Sequence, residues 1–369
     1  MIIATCCARY RHAFAAQASS RNGKAMITAI LTIAFFLIAV ILVVTSSSRW
    51  ESNDAGLSFP ENLNEPLLRE TSKHPTSAKD DLTMNSSPPK KPPYMVKVID
   101  GVEMYISLPP QYEQQGGVKG VLLAFHGCSH SGLDWFRLPE EGVIVRHALT
   151  RQVAVVAFTS YDRHSGCWSL QDRVHVPNAF TKLQDAHAWA KAAPLFAIGA
   201  SSGGSFVSSI PADLSGIRGL MIQIARPNPG HVAKWHKPLP KSVYLVGMTG
   251  DPSLAPAFKA YSQSDEVKAA RIRVRAVETS PCAVTPKRLM ERVYDMTQET
   301  ADSVVAQLVK RLILHHDTFH PLVPSLYGLD PPLGSDDMFL SIQEEIKVCY
   351  AQHELTAEFF PEALAEWLN

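Results

Sequence analysis

Net charge is missing from this chain: 35 Lys and Arg stand against 35 Asp and Glu in 369 residues, so binding to nucleic acid through bulk charge is excluded. Cysteine is scarce, six residues with no C-x-x-C spacing among those of the body, which rules out a disulfide scaffold and a zinc ribbon. No internal repeat and no phosphate-cradling glycine loop is present, which removes solenoids and P-loop folds. What is abundant is apolar: 46% of residues are hydrophobic. That is enough for one large core and too much for a disordered chain.

Two local absences mark the N-terminal quarter. No acid precedes Glu51, while Arg9, Arg11, Arg21 and Lys24 do, and no charge of either sign occurs from Ala25 to Ser48. Within that gap the run Met26 to Val44 is interrupted only by Thr28 and Thr32. As a helix its 19 residues reach about 28 Å, close to the hydrocarbon thickness of a bilayer. The long basic leader and the Arg49-Trp50 that follow do not suit a cleaved signal peptide. Residues 26–44 are therefore expected to be a single-span membrane anchor. The basic leader 1–25 is expected in the cytoplasm, and the body on the far side, in the secretory pathway or at the cell surface. The alternative is an organellar membrane reached by a transit peptide, since the leader holds Arg and Ser and no acid. Residues 45–93 are rich in Pro, Ser and Thr and poor in large apolar side chains, so they read as a flexible stalk, with a glycosylation sequon at Asn85-Ser86-Ser87.

From Tyr94 the pattern changes. MVKVI and VEMYISL flank Asp100-Gly101, which predicts a hairpin. Short apolar runs then appear at Val121–Phe125, Val153–Phe158, Leu195–Ile198, Leu220–Ile224 and Val243–Val246, with an alternating run at Ile272–Val277. Most are separated by stretches of helical length. This is what a mostly parallel sheet with helices on both faces requires, an α/β fold. Residues 287–314 read as helical, and about 281–340 as an insertion over one end of the sheet. Two last helices are expected at about 336–350 and 357–368, the second with a stripe of Phe360, Leu364, Trp367 and Leu368 that belongs in the core.

Chemistry is suggested at three turns. Leu195–Ile198 runs into Gly199-Ala200-Ser201-Ser202-Gly203, a G-x-S-x-G turn between strand and helix, with Ser201 as the candidate nucleophile. Val121–Phe125 ends in His126-Gly127-Cys128. The backbone N–H groups of Cys128 and Ser202 are the candidate oxyanion donors, and His126 reads as a structural residue of the loop. Val243–Val246 ends in Gly-Met-Thr-Gly-Asp, which makes Asp251 the candidate acid that orients a histidine, although a turn aspartate before Pro252 is an ordinary alternative. The residues leave the histidine open among His315, His316, His320 and His353. The first three sit in HHDTFH, whose spacing would suit a metal, but no second cluster of Cys, Asp or Glu accompanies them, and no metal is expected. His353 lies at a break just before the terminal helix, where a general base is useful.

With His126-Gly127-Cys128, Ser165-Gly166-Cys167-Trp168 and Gly199-Ala200-Ser201-Ser202-Gly203-Gly204 in view, residues 94–369 resemble the α/β-hydrolase superfamily. Within it they resemble the polyhydroxybutyrate-depolymerase-like and feruloyl-esterase-like serine esterases. They are also similar to uncharacterised plant and algal hydrolase-like proteins, which share Gly-Cys-Trp, Gly-Ala-Ser-Ser-Gly-Gly and a late His-Glu-(Leu/Met)-Thr. The resemblance implies an α/β-hydrolase fold and hydrolysis of carboxylic esters without a cofactor. It further implies Ser201 as nucleophile, Asp251 as acid and His353 as base, with Trp168 a candidate substrate-binding residue. The gap from Asp251 to His353, filled by the insertion, departs from ordinary hydrolases, and the missing His-Gly-Gly-Gly loop departs from lipases. The competing function is a non-catalytic hydrolase-fold module that binds a partner through its surface. Cys128 and Cys167 would pair if the body lies in an oxidising lumen, and the alternative is two unpaired cysteines among apolar neighbours.

Overall fold

The computed structural model describes residues 89–110, 112–114, 116–322 and 336–369. The expected anchor at 26–44, its leader and most of the stalk lie outside the described residues. Among the described residues no helix is long and apolar enough to cross a membrane.

Strands β1 (Met95–Ile99) and β2 (Val102–Ser107) form the expected hairpin, with Ile99 paired to Val102. Its two-residue turn puts Asp100 at φ 51° and Gly101 at φ 78°. Positive φ at both positions matches the right-handed twist of the flanking strands, and Asp-Gly tolerates it. Six further strands follow: β3 (Gly120–Phe125), β4 (Val153–Phe158), β5 (Leu195–Ala200), β6 (Ile217–Gln223), β7 (Ser242–Met248) and β8 (Arg273–Thr279). They join β1 and β2 in one sheet of order β1-β2-β4-β3-β5-β6-β7-β8. Neighbours from β4 to β8 in this order are parallel, and β2 runs antiparallel to both β1 and β4.

Every residue of β3, β4, β5 and β7 is buried, which explains their unbroken apolar runs: both faces of the sheet are covered. Helices α1 (Pro139–Thr150), α2 (Asp172–Ala186), α3 (Ala188–Ala192), α4 (Ser202–Val207), α5 (Leu254–Gln263) and α6 (Asp265–Ala270) alternate with the strands. The chain moves outward from β3 to β4 and then returns past β3 to β5. The direction of winding therefore reverses between β3 and β5, and in doubly wound sheets the C-terminal strand ends at such a reversal are where ligands are accommodated.

The insertion differs from a single helical reading of 287–314. It contains α7 (Pro286–Arg292) and α8 (Gln298–Lys310), separated where Asp295 takes φ 58° and where Thr297 caps α8 by accepting the Thr300 N–H. The helix also stops before Leu312, which is exposed at φ 57° although the helical reading ran on to residue 314. Leu289, Val304, Leu308 and, from α9 (Asp336–Cys349), Ile342 and Ile346 form a small apolar cluster of their own. The final helix α10 (Phe360–Leu368) returns to the main core. Its Trp367 stacks on Phe196 and lies over Gly219 so closely that a Cβ there would come within 2.3 Å of the indole. Its indole N–H donates to Ser242 Oγ at 3.1 Å.

Candidate active site

The turn after β5 is shaped by glycines that have no room for a side chain. A Cβ on Gly199 would approach the Gly203 carbonyl to 2.5 Å, and one on Gly203 would approach the Phe125 and His126 carbonyls to 2.4 Å. Between them Ser201 sits at φ 53°, ψ −116°, a conformation that costs on the order of 1–3 kcal/mol for a residue with a side chain. Two backbone bonds hold it: the Ser201 N–H donates to the Gln223 carbonyl at 3.0 Å, and the Ser201 carbonyl accepts from Ser205 at the start of α4. The neighbouring Ser202 hydroxyl is buried without a partner among the described residues.

His353 meets this serine from the other end of the chain. Its Nε2 lies 3.1 Å from Ser201 Oγ, and its Nδ1 lies 2.9 Å from Asp251 Oδ2. A Nδ1–H donated to the carboxylate leaves Nε2 to accept from the serine hydroxyl. Burial raises the Asp251 carboxyl pKa, but hydrogen bonds from His353 and Ser253 outweigh it and hold the group below the ordinary aspartate value. Asp251 is thus a carboxylate at neutral pH.

The loop that carries His353 is fastened from four sides. Gly250, next to Asp251, donates its N–H to the Ala351 carbonyl at 2.9 Å. Gln223, fully buried at the end of β6, accepts from the Thr356 N–H and donates to the Thr356 carbonyl, both at 2.9 Å. Glu140, buried on α1, accepts the Ala357 N–H at 2.6 Å and is itself paired with Arg292 at 2.9 Å. Thr279, ending β8, donates to Glu358 at 2.9 Å. Sequence reading missed Gln223 and Glu140. The one available signal was a polar residue closing the apolar strand of β6.

The turn after β3 lies against the serine: a Cβ on Gly127 would touch Ser201 Cβ at 3.8 Å. His126 is buried, with Nδ1 2.7 Å from the Gly127 carbonyl and Nε2 accepting the Ser160 N–H at 3.0 Å. These bonds specify the neutral Nδ1–H ring, and burial pushes its pKa down to about 4. His126 is therefore a strut of the loop, as read. Trp168 donates its indole N–H to the His126 carbonyl at 2.8 Å and packs on Phe125, Phe206 and the His126 ring. Cys128 and Cys167 are joined in a disulfide, their Cα atoms 4.2 Å apart. The Ser129 N–H donates to the Ser165 carbonyl beside this bridge, so the 126–130 and 165–168 turns form one clasp. Neither the Cys128 nor the Ser202 backbone N–H has a hydrogen-bond partner among the described residues.

The remaining candidate histidines are elsewhere. His315 and His320 pair through their backbones, and His316 is exposed against Asp317. Among the described residues no cluster of His, Cys, Asp and Glu could hold a metal ion.

No family model and no curated protein matches the chain. Solved structures similar to it include a dienelactone hydrolase from Anabaena variabilis, at 14% identity and a TM-score of 0.36, which covers 60% of this chain and 97% of that one. An S-formylglutathione hydrolase from Agrobacterium tumefaciens aligns at 10% identity and a TM-score of 0.38, covering 59% and 92% of the two chains. The feruloyl esterase module from Clostridium thermocellum aligns at 13% identity and a TM-score of 0.38, covering 52% and 83%.

Proposed function

We propose that this chain is a serine hydrolase that cleaves carboxylic esters through an acyl-enzyme. The observation that carries the reading is His353 set between Ser201 Oγ at 3.1 Å and Asp251 at 2.9 Å, with the serine on a strained turn at the C-terminal end of β5. Ser201 Oγ attacks the ester carbonyl while His353 Nε2 takes its proton, and Asp251 stabilises the imidazolium and keeps the ring in register. The oxyanion is received by the Ser202 N–H and by the Cys128 N–H, the latter on a loop that the disulfide, His126 and Trp168 keep from moving. His353 then returns the proton to the leaving alcohol, and the same cycle run with water releases the acid. Trp168, partly exposed beside this loop, is the side chain assigned to contact the substrate. The chemistry uses no cofactor.

The test is covalent labelling by a fluorophosphonate probe together with turnover of short p-nitrophenyl esters. Labelling at Ser201 that disappears on heat denaturation supports the reading, and a folded protein that neither labels nor hydrolyses any ester marks a non-catalytic module instead.

We further propose that residues 26–44 tether this body to a membrane in a type II orientation. The support is the uncharged apolar run with Arg9, Arg11, Arg21 and Lys24 in front of it, set against Arg49 followed by Glu51 and Asp54 behind it. The full chain is then expected in the membrane fraction and resistant to alkaline carbonate extraction, and a chain beginning at Tyr94 in the supernatant with its esterase activity retained. Release of the full chain by carbonate would refute the tether.

A further inference from the structure

Among the described residues two cysteines play no part in the chemistry above. Cys282 precedes α7 and Cys349 ends α9, and the Cys282 N–H donates to the Cys349 carbonyl at 2.9 Å. A direct backbone bond of this kind sets two Cα atoms roughly 5–6 Å apart, the separation a disulfide requires. The Cys349 sulfur lies 3.9 Å from the carbonyl of Ala283, the residue after Cys282, which turns it toward the same strand of chain. Cys349 has no exposed surface, whereas Cys282 is partly exposed. The same chain already holds one disulfide, Cys128 to Cys167, and such bonds persist in oxidising compartments.

We propose that Cys282 and Cys349 are a thiol–disulfide pair, Cys282 attacking and Cys349 resolving, whose closure ties the start of the helical insertion to the loop that carries His353. The electrostatics agree with this division. A hydrogen bond from Cys349 holds the Cys282 thiol below its ordinary value against the effect of burial, with Arg288 assisting, while the same bond and burial push Cys349 up. The oxidant is a disulfide, carried by a small oxidised thiol or a thiol oxidoreductase. The Cys282 thiolate attacks one of its sulfurs, that S–S bond breaks, and one thiolate leaves and takes up a proton. Cys349 then gives its proton to solvent and attacks the Cys282 sulfur, expelling the second thiol. Two electrons pass to the oxidant. Because the Ala351 carbonyl holds Gly250 beside Asp251, the new bond would lie two residues from that contact and fix the N-terminal end of the loop that carries His353.

The experiment uses the full chain, treated with oxidised glutathione, alkylated under native and then denaturing conditions, and mapped without reduction. Trypsin places Cys282 in residues 276–287 and Cys349 in residues 348–369. The expected result is a linked pair of these peptides that dithiothreitol separates, and in Cys349→Ser a stable glutathione adduct on Cys282. Wild-type protein in which both thiols are alkylated while 128–167 stays linked would overturn the proposal, as would a wild-type Cys282 that stops at the glutathione adduct. The wild-type map decides even if Cys349→Ser fails to fold. Its readout is a mass, so it stands or falls separately from the esterase reading.

Discussion

Gln223 and Thr356, 133 residues apart in sequence, are joined by two hydrogen bonds of 2.9 Å in which the glutamine amide both accepts from and donates to the threonine backbone. The carbonyl of the same glutamine holds the Ser201 N–H. One buried residue therefore registers the loop of His353 against the turn of Ser201. Replacing Gln223 by Leu strands a buried N–H and a buried C=O, which costs about 2–4 kcal/mol, and lets His353 drift from Ser201. Urea unfolding should show that loss, and the rate of fluorophosphonate labelling should fall at least about tenfold with little change in KM. Gln223→Glu, which retains the acceptor, should lie between. An unchanged labelling rate in a destabilised Gln223→Leu would reduce the residue to a structural one.

The histidine assignment separates cleanly by mutation. Ser201→Ala and His353→Ala should each lower ester turnover by more than about a thousandfold, and the double variant should be no worse than either, because the two side chains act as a unit. His320→Ala should retain near-wild-type turnover, since its loop pairs with His315 instead. Steady-state kinetics on a p-nitrophenyl ester checks all four, and loss of activity in His320→Ala alone would move the base.

The His126 strut makes stability depend on pH in a defined window. Its folded pKa is lowered to about 4 by burial, against about 6.5 in an unfolded chain. Between these values the unfolded state binds the extra proton, so stability rises with pH and is lost as pH falls from about 6.5 to about 4. His126→Asn keeps a donor and an acceptor without a titrating proton. Its melting temperature should vary less steeply across that window than the wild type's, and parallel curves would count against the strut.

Glu344 on α9 gives the opposite sign. Burial raises its carboxyl to about 8, the charge of Glu354 adds to this, and His130 and Lys347 pull it back. Here the folded state holds the proton longer than the unfolded one, so stability declines as pH rises from about 4.5 to about 8. Glu344→Gln should flatten that decline and melt higher than the wild type at pH 8. Thermal unfolding at pH 5 and pH 8 provides the comparison.

How much of this was legible in advance depended on how local each cause is. The strands of the sheet were visible because a strand covered on both faces must be apolar throughout, and β3, β4 and β5 are. The turn at Ser201 was visible because the spacing of its glycines is itself local: a Cβ on Gly199 would meet the Gly203 carbonyl four residues on. The break in the insertion was not, since apolar spacing continues through Tyr294–Met296 while the backbone reverses at Asp295.

The sequence by itself determined the α/β pattern, the strained serine turn and a short set of histidines to consider. Among those histidines the residues alone left the choice open, and it was the place of His353 before the terminal helix together with the resemblance at His-Glu-Leu-Thr that favoured it. Tertiary structure brings the ends of β5, β6 and β7 together, so that His353 comes within hydrogen-bond reach of Asp251 and Ser201, 102 and 152 positions away. It also decided that Cys128 meets Cys167 and that Gln223 meets Thr356. Contacts of this kind are set by the order in which strands pair and by the closure of long loops, and both are properties of the whole sheet rather than of any one segment.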